Sequence, residues 1–180
     1  LNNTSFPTSR YLWGDYAHGY GTFFENTGDF DVSESYDVSY AWAAGAIVAN
    51  VQDLAIWVKN LAQGTLLTSE TQQARKTYIT LVPSLDFKYG LGCFDVAGFI
   101  GHNGAVPGYL SFAAYSVERN ATFIILFNRY FAEETNQTDP TKLFLQAASV
   151  IYNDLPWSIS NLPEAEKMLQ KIKFDKIKLK

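Results

Sequence analysis

Gly101-His102-Asn103-Gly104-Ala105-Val106-Pro107-Gly108-Tyr109 is the stretch on which the reading of this chain turns. Phe99-Ile100 leads into it as a strand-like pair, and two strongly apolar runs follow, Tyr109 to Val117 and Ala121 to Asn128. Gly101, Gly104, Pro107 and Gly108, all small or turn-forming, surround a single imidazole. Such a composition lets a ligand come close to the main chain, which a turn with a merely structural role does not require. The competing reading is a Gly/Pro-rich connection with an incidental histidine, because short glycine motifs also arise by chance.

Working outward, Tyr89 to Phe94 and Phe99-Ile100 read as paired strands joined near Ala97-Gly98. Tyr109 to Val117 and Ala121 to Asn128 read as a hairpin closed by the polar turn Glu118-Arg119-Asn120. Phe123-Ile124-Ile125-Leu126-Phe127 is apolar without alternation, which predicts a central strand covered on both faces.

Upstream, Asn50 is a good N-cap with Asp53 three residues on, a capping-box-like pair suited to the positive helix end. Leu54, Trp57, Val58 and Leu61 then share one apolar face, and Gly64 supplies a left-handed stop. A shorter helix is expected from Ser69, itself able to cap, through Gln72 to Lys76. Downstream, Asp139-Pro140 is a cap with a first-turn proline; Leu143, Phe144, Ala147, Ala148 and Ile151 form the face of the helix that follows. Pro163 opens a last amphipathic helix with Ala165, Met168, Leu169 and Ile172 on its apolar side. Residues 1–40 read as extended loops with short strands around Ala17 to Phe24. The expected class is α+β, an antiparallel sheet flanked by helices.

At 180 residues, 47% hydrophobic and 18% charged, the chain can bury one core and is not disordered. No apolar stretch approaches the roughly 18 residues a membrane span needs. The start, Leu1-Asn2-Asn3-Thr4, has neither a Met nor a basic signal-peptide segment, and leads us to expect that the chain begins inside a longer sequence. Residues 161–180 carry six Lys against Glu164, Glu166 and Asp175, so the remainder holds −7 of the overall −4 balance. An acidic body argues against a nucleic-acid partner, and the basic tail reads as a solvated helix face. The single cysteine, Cys93, excludes an internal disulfide and reads as a small buried hydrophobe. His18 is the only other histidine; with Asp15 nearby it is too little for a metal site, and no metal or other cofactor is expected. Asn2, Asn3, Asn120 and Asn136 stand in Asn-x-Ser/Thr sequons, which matter only in a glycosylating host.

Ala44-Gly45, Asn50 through Trp57 with Gln52-Asp53-Leu54-Ala55, Leu66-Leu67-Thr68-Ser69-Glu70-Thr71, Tyr89-Gly90-Leu91-Gly92, Gly101-His102-Asn103-Gly104 with Pro107-Gly108-Tyr109, and Asn128 form an ordered set. In that order and spacing the chain resembles the later part of the serine beta-lactamase-like family, which includes class C beta-lactamases, D-alanyl-D-alanine carboxypeptidases and related esterases. The resemblance implies an incomplete beta-lactamase/transpeptidase-like fold over residues 1–155, with 156–180 a Lys-rich amphipathic tail outside it. It also implies roles for individual residues. His102 takes the cationic or hydrogen-bonding place of the Lys/His-Thr/Ser-Gly motif, Asn103 the hydroxyl place and Gly104 the glycine. The N–H of Ala105 becomes an oxyanion-hole donor, a kind of contact worth ~3 kcal/mol of transition-state stabilisation. Tyr109 falls among the substrate-binding positions. Asn103 departs from the family's Thr or Ser; an amide can still donate, with different size and reach.

The family's Ser-x-x-Lys nucleophile and its Tyr-x-Asn or Ser-x-Asn motif do not occur in these 180 residues. Nor does Gly-x-Ser-x-Gly. The expectations that follow are an extracytoplasmic hydrolase acting on an acyl substrate (a peptidoglycan peptide, beta-lactam or ester), and an N-terminal segment of the same protein as partner. An alternative is a non-catalytic ligand-binding or sensor protein. The edge of Ala121 to Asn128, lacking that segment, is a site of expected self-association.

Overall fold

The computed structural model describes residues 1–12, 14–21, 30–130, 139–163 and 167. Asn50 starts the first helix, α1 (Val51–Gln63), by accepting from the Asp53 N–H at 2.9 Å, which fills one of the donors a helix start leaves free. Gly64 ends it at φ 81°, a left-handed value that costs glycine nothing. Val58 and Ala62 are buried and Leu54 and Leu61 half-buried, but Trp57, expected on the same face, is 41% exposed. The buried stripe is centred on Val58, Leu61 and Ala62, which leaves Trp57 on its flank.

The second helix, α2 (Ser69–Arg75), is capped one residue earlier than expected, by Thr68, whose hydroxyl accepts from the Thr71 N–H. It locks onto the end of α1. Gln72 Nε2 donates to the Leu61 carbonyl at 3.1 Å and Lys76 Nζ to the Ala62 carbonyl at 2.8 Å, satisfying acceptors a helix end leaves free.

Two short pairs precede the main sheet: β1 (Thr4–Ser5) with β4 (Val48–Ala49), and β2 (Tyr20–Gly21) with β3 (Phe30–Asp31). The main sheet is an antiparallel meander of β5 (Ile79–Val82), β6 (Phe87–Tyr89), β7 (Phe94–Val96), β8 (Phe99–Val106), β9 (Tyr109–Ser116) and β10 (Ala121–Phe127), neighbours in chain order. The sequence reading ran Tyr89 to Phe94 together as one strand. Gly90–Cys93 is instead a tight connection, with Leu91 N–H donating to the Arg75 carbonyl at 3.0 Å. A Cβ at Gly90 would lie 2.2 Å from that same oxygen, so only glycine fits. Among the described residues β10 is the last strand of the sheet, not the central one its unbroken apolar run suggested.

Alternate residues of the strands feed two cores. Phe99, Phe112 and Ala114 pack with Phe144, Leu145 and Ala148 of α3 (Pro140–Ile151), whereas Ile100 and Tyr115 pack with Val58 and Ala62 of α1. The sheet therefore lies between the two helices, the three-layer α+β arrangement expected. Phe144, fully buried, stacks on Phe112 with ring centroids 4.5 Å apart, and Phe112 stacks on Phe94 at 5.3 Å. Arg119 of the β9–β10 turn lies over the rings of Phe99 and Tyr152 and reaches Asp154 at 2.6 Å, tying the hairpin to the far end of α3.

Asp139 caps α3 through the Thr141 N–H at 2.7 Å. Its inward face is rotated from the expected one: Leu145 is buried, while Leu143 is 38% and Ile151 60% exposed. The helix is apolar over most of its circumference, and Trp157, whose indole N–H donates to the Leu145 carbonyl at 3.0 Å, covers the turn around Leu145. The amphipathic helix expected from Pro163, with Ala165, Met168, Leu169 and Ile172, lies outside the described residues, as does the Asn136 sequon. No helix among the described residues is long and apolar enough to cross a membrane.

Candidate active-site edge

Strand β8 carries the glycine-histidine stretch, and it is paired unequally. On one side it pairs with β9 along its whole length, Phe99↔Ser116 to Val106↔Tyr109. On the other it pairs with β7 only from Phe99 to Gly101. Among the described residues no strand pairs with His102–Val106 on that side. The chain leaves because β7 is three residues long and begins directly after the Gly90–Cys93 connection.

The direction of each main-chain group on this open stretch follows from the turns. Ala97-Gly98 and Pro107-Gly108 are two-residue connections, so Val96–Phe99 and Val106–Tyr109 are hydrogen-bonded pairs. Alternation from either end gives the same parity: Asn103 and Ala105 direct their N–H and C=O groups to the open side. Gly101 and Gly104 keep the strand pressed against β9. A Cβ at Gly101 would lie 1.9 Å from the Ala113 carbonyl oxygen, and one at Gly104 2.5 Å from Ser111 Oγ.

His102 is exposed, and its ring lies along this open edge. Its Nε2 is 2.7 Å from the Tyr89 hydroxyl, and its Nδ1 hydrogen-bonds the Asn103 carbonyl. The ring stacks on Phe94 at 6.1 Å and meets Tyr89 edge-on at 5.7 Å. His102, Phe94, Phe112 and Phe144 thus form one continuous aromatic column from the open edge into the core. Burial pushes the Tyr89 phenol above its ordinary pKa, with the neighbouring Cys93 adding to the shift.

Asn103 turns its side chain the other way, its Nδ2 3.5 Å from Thr141 Oγ1 in the first turn of α3. The start of that helix therefore stands beside the motif, a neighbour the sequence reading took only as a cap. Ala105 is exposed. Tyr109 is engaged from the N-terminal segment: its hydroxyl donates to the Ala17 carbonyl at 2.8 Å and lies 3.3 Å from Ser33 Oγ. Its ring packs so closely on Gly19 that a Cβ there would fall 2.3 Å away. The structure brings His102, Asn103 and Ala105 together on one edge, and holds Tyr109 at the turn beyond it. Tyr89 was quoted in the sequence as part of a strand and of the Tyr89-Gly90-Leu91-Gly92 piece of the resemblance, without a role beside His102; its contact with His102 depends on β6 and β8 meeting across the short β7.

His18 pairs with Asp31 through Nδ1 at 2.6 Å, and Asn128 Nδ2 donates to the His18 carbonyl at 2.9 Å. Asp31 is held below its ordinary pKa chiefly by the Ser33 hydroxyl, with the Ser33 N–H and His18 contributing. Among the described residues no group of three or more His, Cys, Asp and Glu comes together to hold a metal ion. Cys93 is fully buried, and that burial raises its thiol pKa.

An antiparallel sheet between two helices, with a glycine-histidine strand half open at its side, matches the beta-lactamase/transpeptidase-like fold. The chain belongs to the Beta-lactamase family, whose model matches residues 1–148. Its solved relatives include a D-stereospecific amidohydrolase from Streptomyces sp., 26% identical with a TM-score of 0.63, covering 72% of this chain and 40% of that one. The D-amino acid amidase from Ochrobactrum anthropi SV3 complexed with D-phenylalanine, 20% identical with a TM-score of 0.62, shares the fold over 82% of this chain and 49% of its own. The chain spans less than half the length of either protein.

Proposed function

We propose that this chain forms one wall of the cleft of a serine hydrolase acting on acyl substrates, the wall that binds the acyl group. The carrying observation is the open stretch of β8, with Ala105 N–H directed outward beside His102. A substrate lying as an added strand would pair with this edge, and the Ala105 N–H would stabilise the oxygen that becomes negative as the carbonyl turns tetrahedral. Asn103, beside Thr141, would contact the group flanking the scissile bond, and Tyr109 would shape the end of the cleft. The nucleophile comes from a Ser-x-x-Lys segment of the same protein outside these 180 residues, a reading supported by the absence of that motif here. Amides of D-configured amino acids join peptidoglycan peptides, beta-lactams and esters as candidate substrates, on the likeness to the D-stereospecific amidohydrolase. The same reading places the protein outside the cytoplasm.

The isolated chain is expected to take no covalent label from a fluorophosphonate or a fluorescent penicillin. Mixing it with the N-terminal segment carrying Ser-x-x-Lys is expected to give labelling on that segment's serine. Labelling of a serine within residues 1–180 would overturn the assignment. A non-catalytic ligand-binding or sensor protein is the second reading, favoured by the same missing motifs. The gene sequence upstream of Leu1 separates the two by whether Ser-x-x-Lys is encoded there.

A further inference from the structure

We propose that Tyr89 is a positioning residue that fixes His102 in one tautomer and lays its ring along the open edge of β8. Two contacts carry this. A carbonyl can only accept, so the bond between His102 Nδ1 and the Asn103 carbonyl puts the proton on Nδ1. A neutral imidazole protonated there is an acceptor at Nε2, and the atom facing Nε2, at 2.7 Å, is the Tyr89 hydroxyl. The phenol therefore donates, and both ring nitrogens are satisfied at once. Phe94 beneath the ring and Tyr89 at its edge pack the imidazole in this seat.

The arrangement changes what the motif histidine offers. In this seat His102 presents no free N–H to an incoming ligand, and it occupies the Asn103 carbonyl, an acceptor an added strand would use. The outward N–H groups of Asn103 and Ala105 are left as the donors on this stretch, so a ligand is gripped first through its own carbonyl oxygens. The bearing on catalysis rests on the hydrolase reading above; the seating of the ring does not.

Two histidines in the whole chain make the test direct. In the uniformly 15N-labelled chain at about pH 8, above the ordinary imidazole pKa near 6.5, the ring nitrogens of each histidine are read through their couplings to the ring C–H protons. His102 is expected to show a pyrrole-type Nδ1 and a pyridine-type Nε2. Tyr89→Phe keeps the ring and removes the hydroxyl; it is expected to shift His102 toward the Nε2–H form, while His18, held by Asp31, stays unchanged. A wild-type His102 protonated mainly at Nε2 would overturn the proposal even if the variant failed to fold. So would a folded Tyr89→Phe chain whose His102 nitrogens match wild type. Failure of the labelling experiment with the tautomer intact would remove the hydrolase reading and leave this one standing.

Discussion

Asp53 carries two adjacent jobs with different partners. Its N–H is taken by the Asn50 cap, as its spacing suggests, but its carboxylate does not turn back onto the helix start. It accepts from Thr4 Oγ1 at 2.7 Å and from the Asn3 N–H at 2.8 Å, pinning the first residues of the chain to α1. The Thr4 hydroxyl is the main cause of a lowered Asp53 pKa; burial opposes it, and the Asn3 N–H reinforces it. A carboxyl whose folded pKa lies below its unfolded value contributes stability above the ordinary Asp pKa near 3.9. That contribution is lost as the pH falls through the lowered folded value. The amide signals of Asn3 and Thr4 are therefore expected to stay native-like at pH values near the ordinary Asp pKa and to collapse at more acidic ones. Asp53→Asn should move that collapse or abolish it.

Helix α3 shows how far an apolar pattern narrows the choice of face. Asp139-Pro140 set its start, and residues 143–151 offer apolar side chains nearly all round, so the period alone admits more than one inward face. Packing against Phe99 and Phe112 selects the face bearing Phe144, Leu145 and Ala148. The selection can be checked by paired truncations in denaturant unfolding. Phe144→Ala removes a buried ring stacked on Phe112 and is expected to cost about 3–5 kcal/mol. Ile151→Ala, on the face the sequence pattern had included but 60% exposed, is expected to stay within about 0.5 kcal/mol of wild type. Equal losses at the two positions would mean that the helix packs in the rotation its periodicity suggested.

For the molecule as a whole, the sheet ends on an apolar strand. Ala121–Phe127 pairs with β9 on one side, and among the described residues no strand of the main sheet pairs with the other. Leu126 is 41% exposed, and among the described residues Tyr20 meets the end of the strand, its N–H donating to the Asn128 carbonyl at 2.9 Å. Unpaired apolar edges recruit strands from other chains. The isolated chain is expected to sediment as a self-associated species; a compact monomer at high concentration would refute this. Much of the architecture was legible because its signals are local. The Asn50 cap, the Gly64 stop, the turns at Ala97-Gly98 and Glu118-Arg119-Asn120, and the apolar periods each act within a few residues of themselves. Sequence alone thus determined the helices α1 and α3, the β9–β10 hairpin, the α+β class and the motif His102-Asn103-Gly104 at the heart of the family likeness. The tertiary structure decided what local signals cannot carry: that β7 pairs with β8 only as far as Gly101 and leaves the rest of β8 open, that Tyr89 meets His102, that Asp53 holds Thr4, and which side of α3 is buried. Each of these is a contact between segments distant in the chain, selected by the competition for one core and one sheet edge rather than by the propensity of any residue.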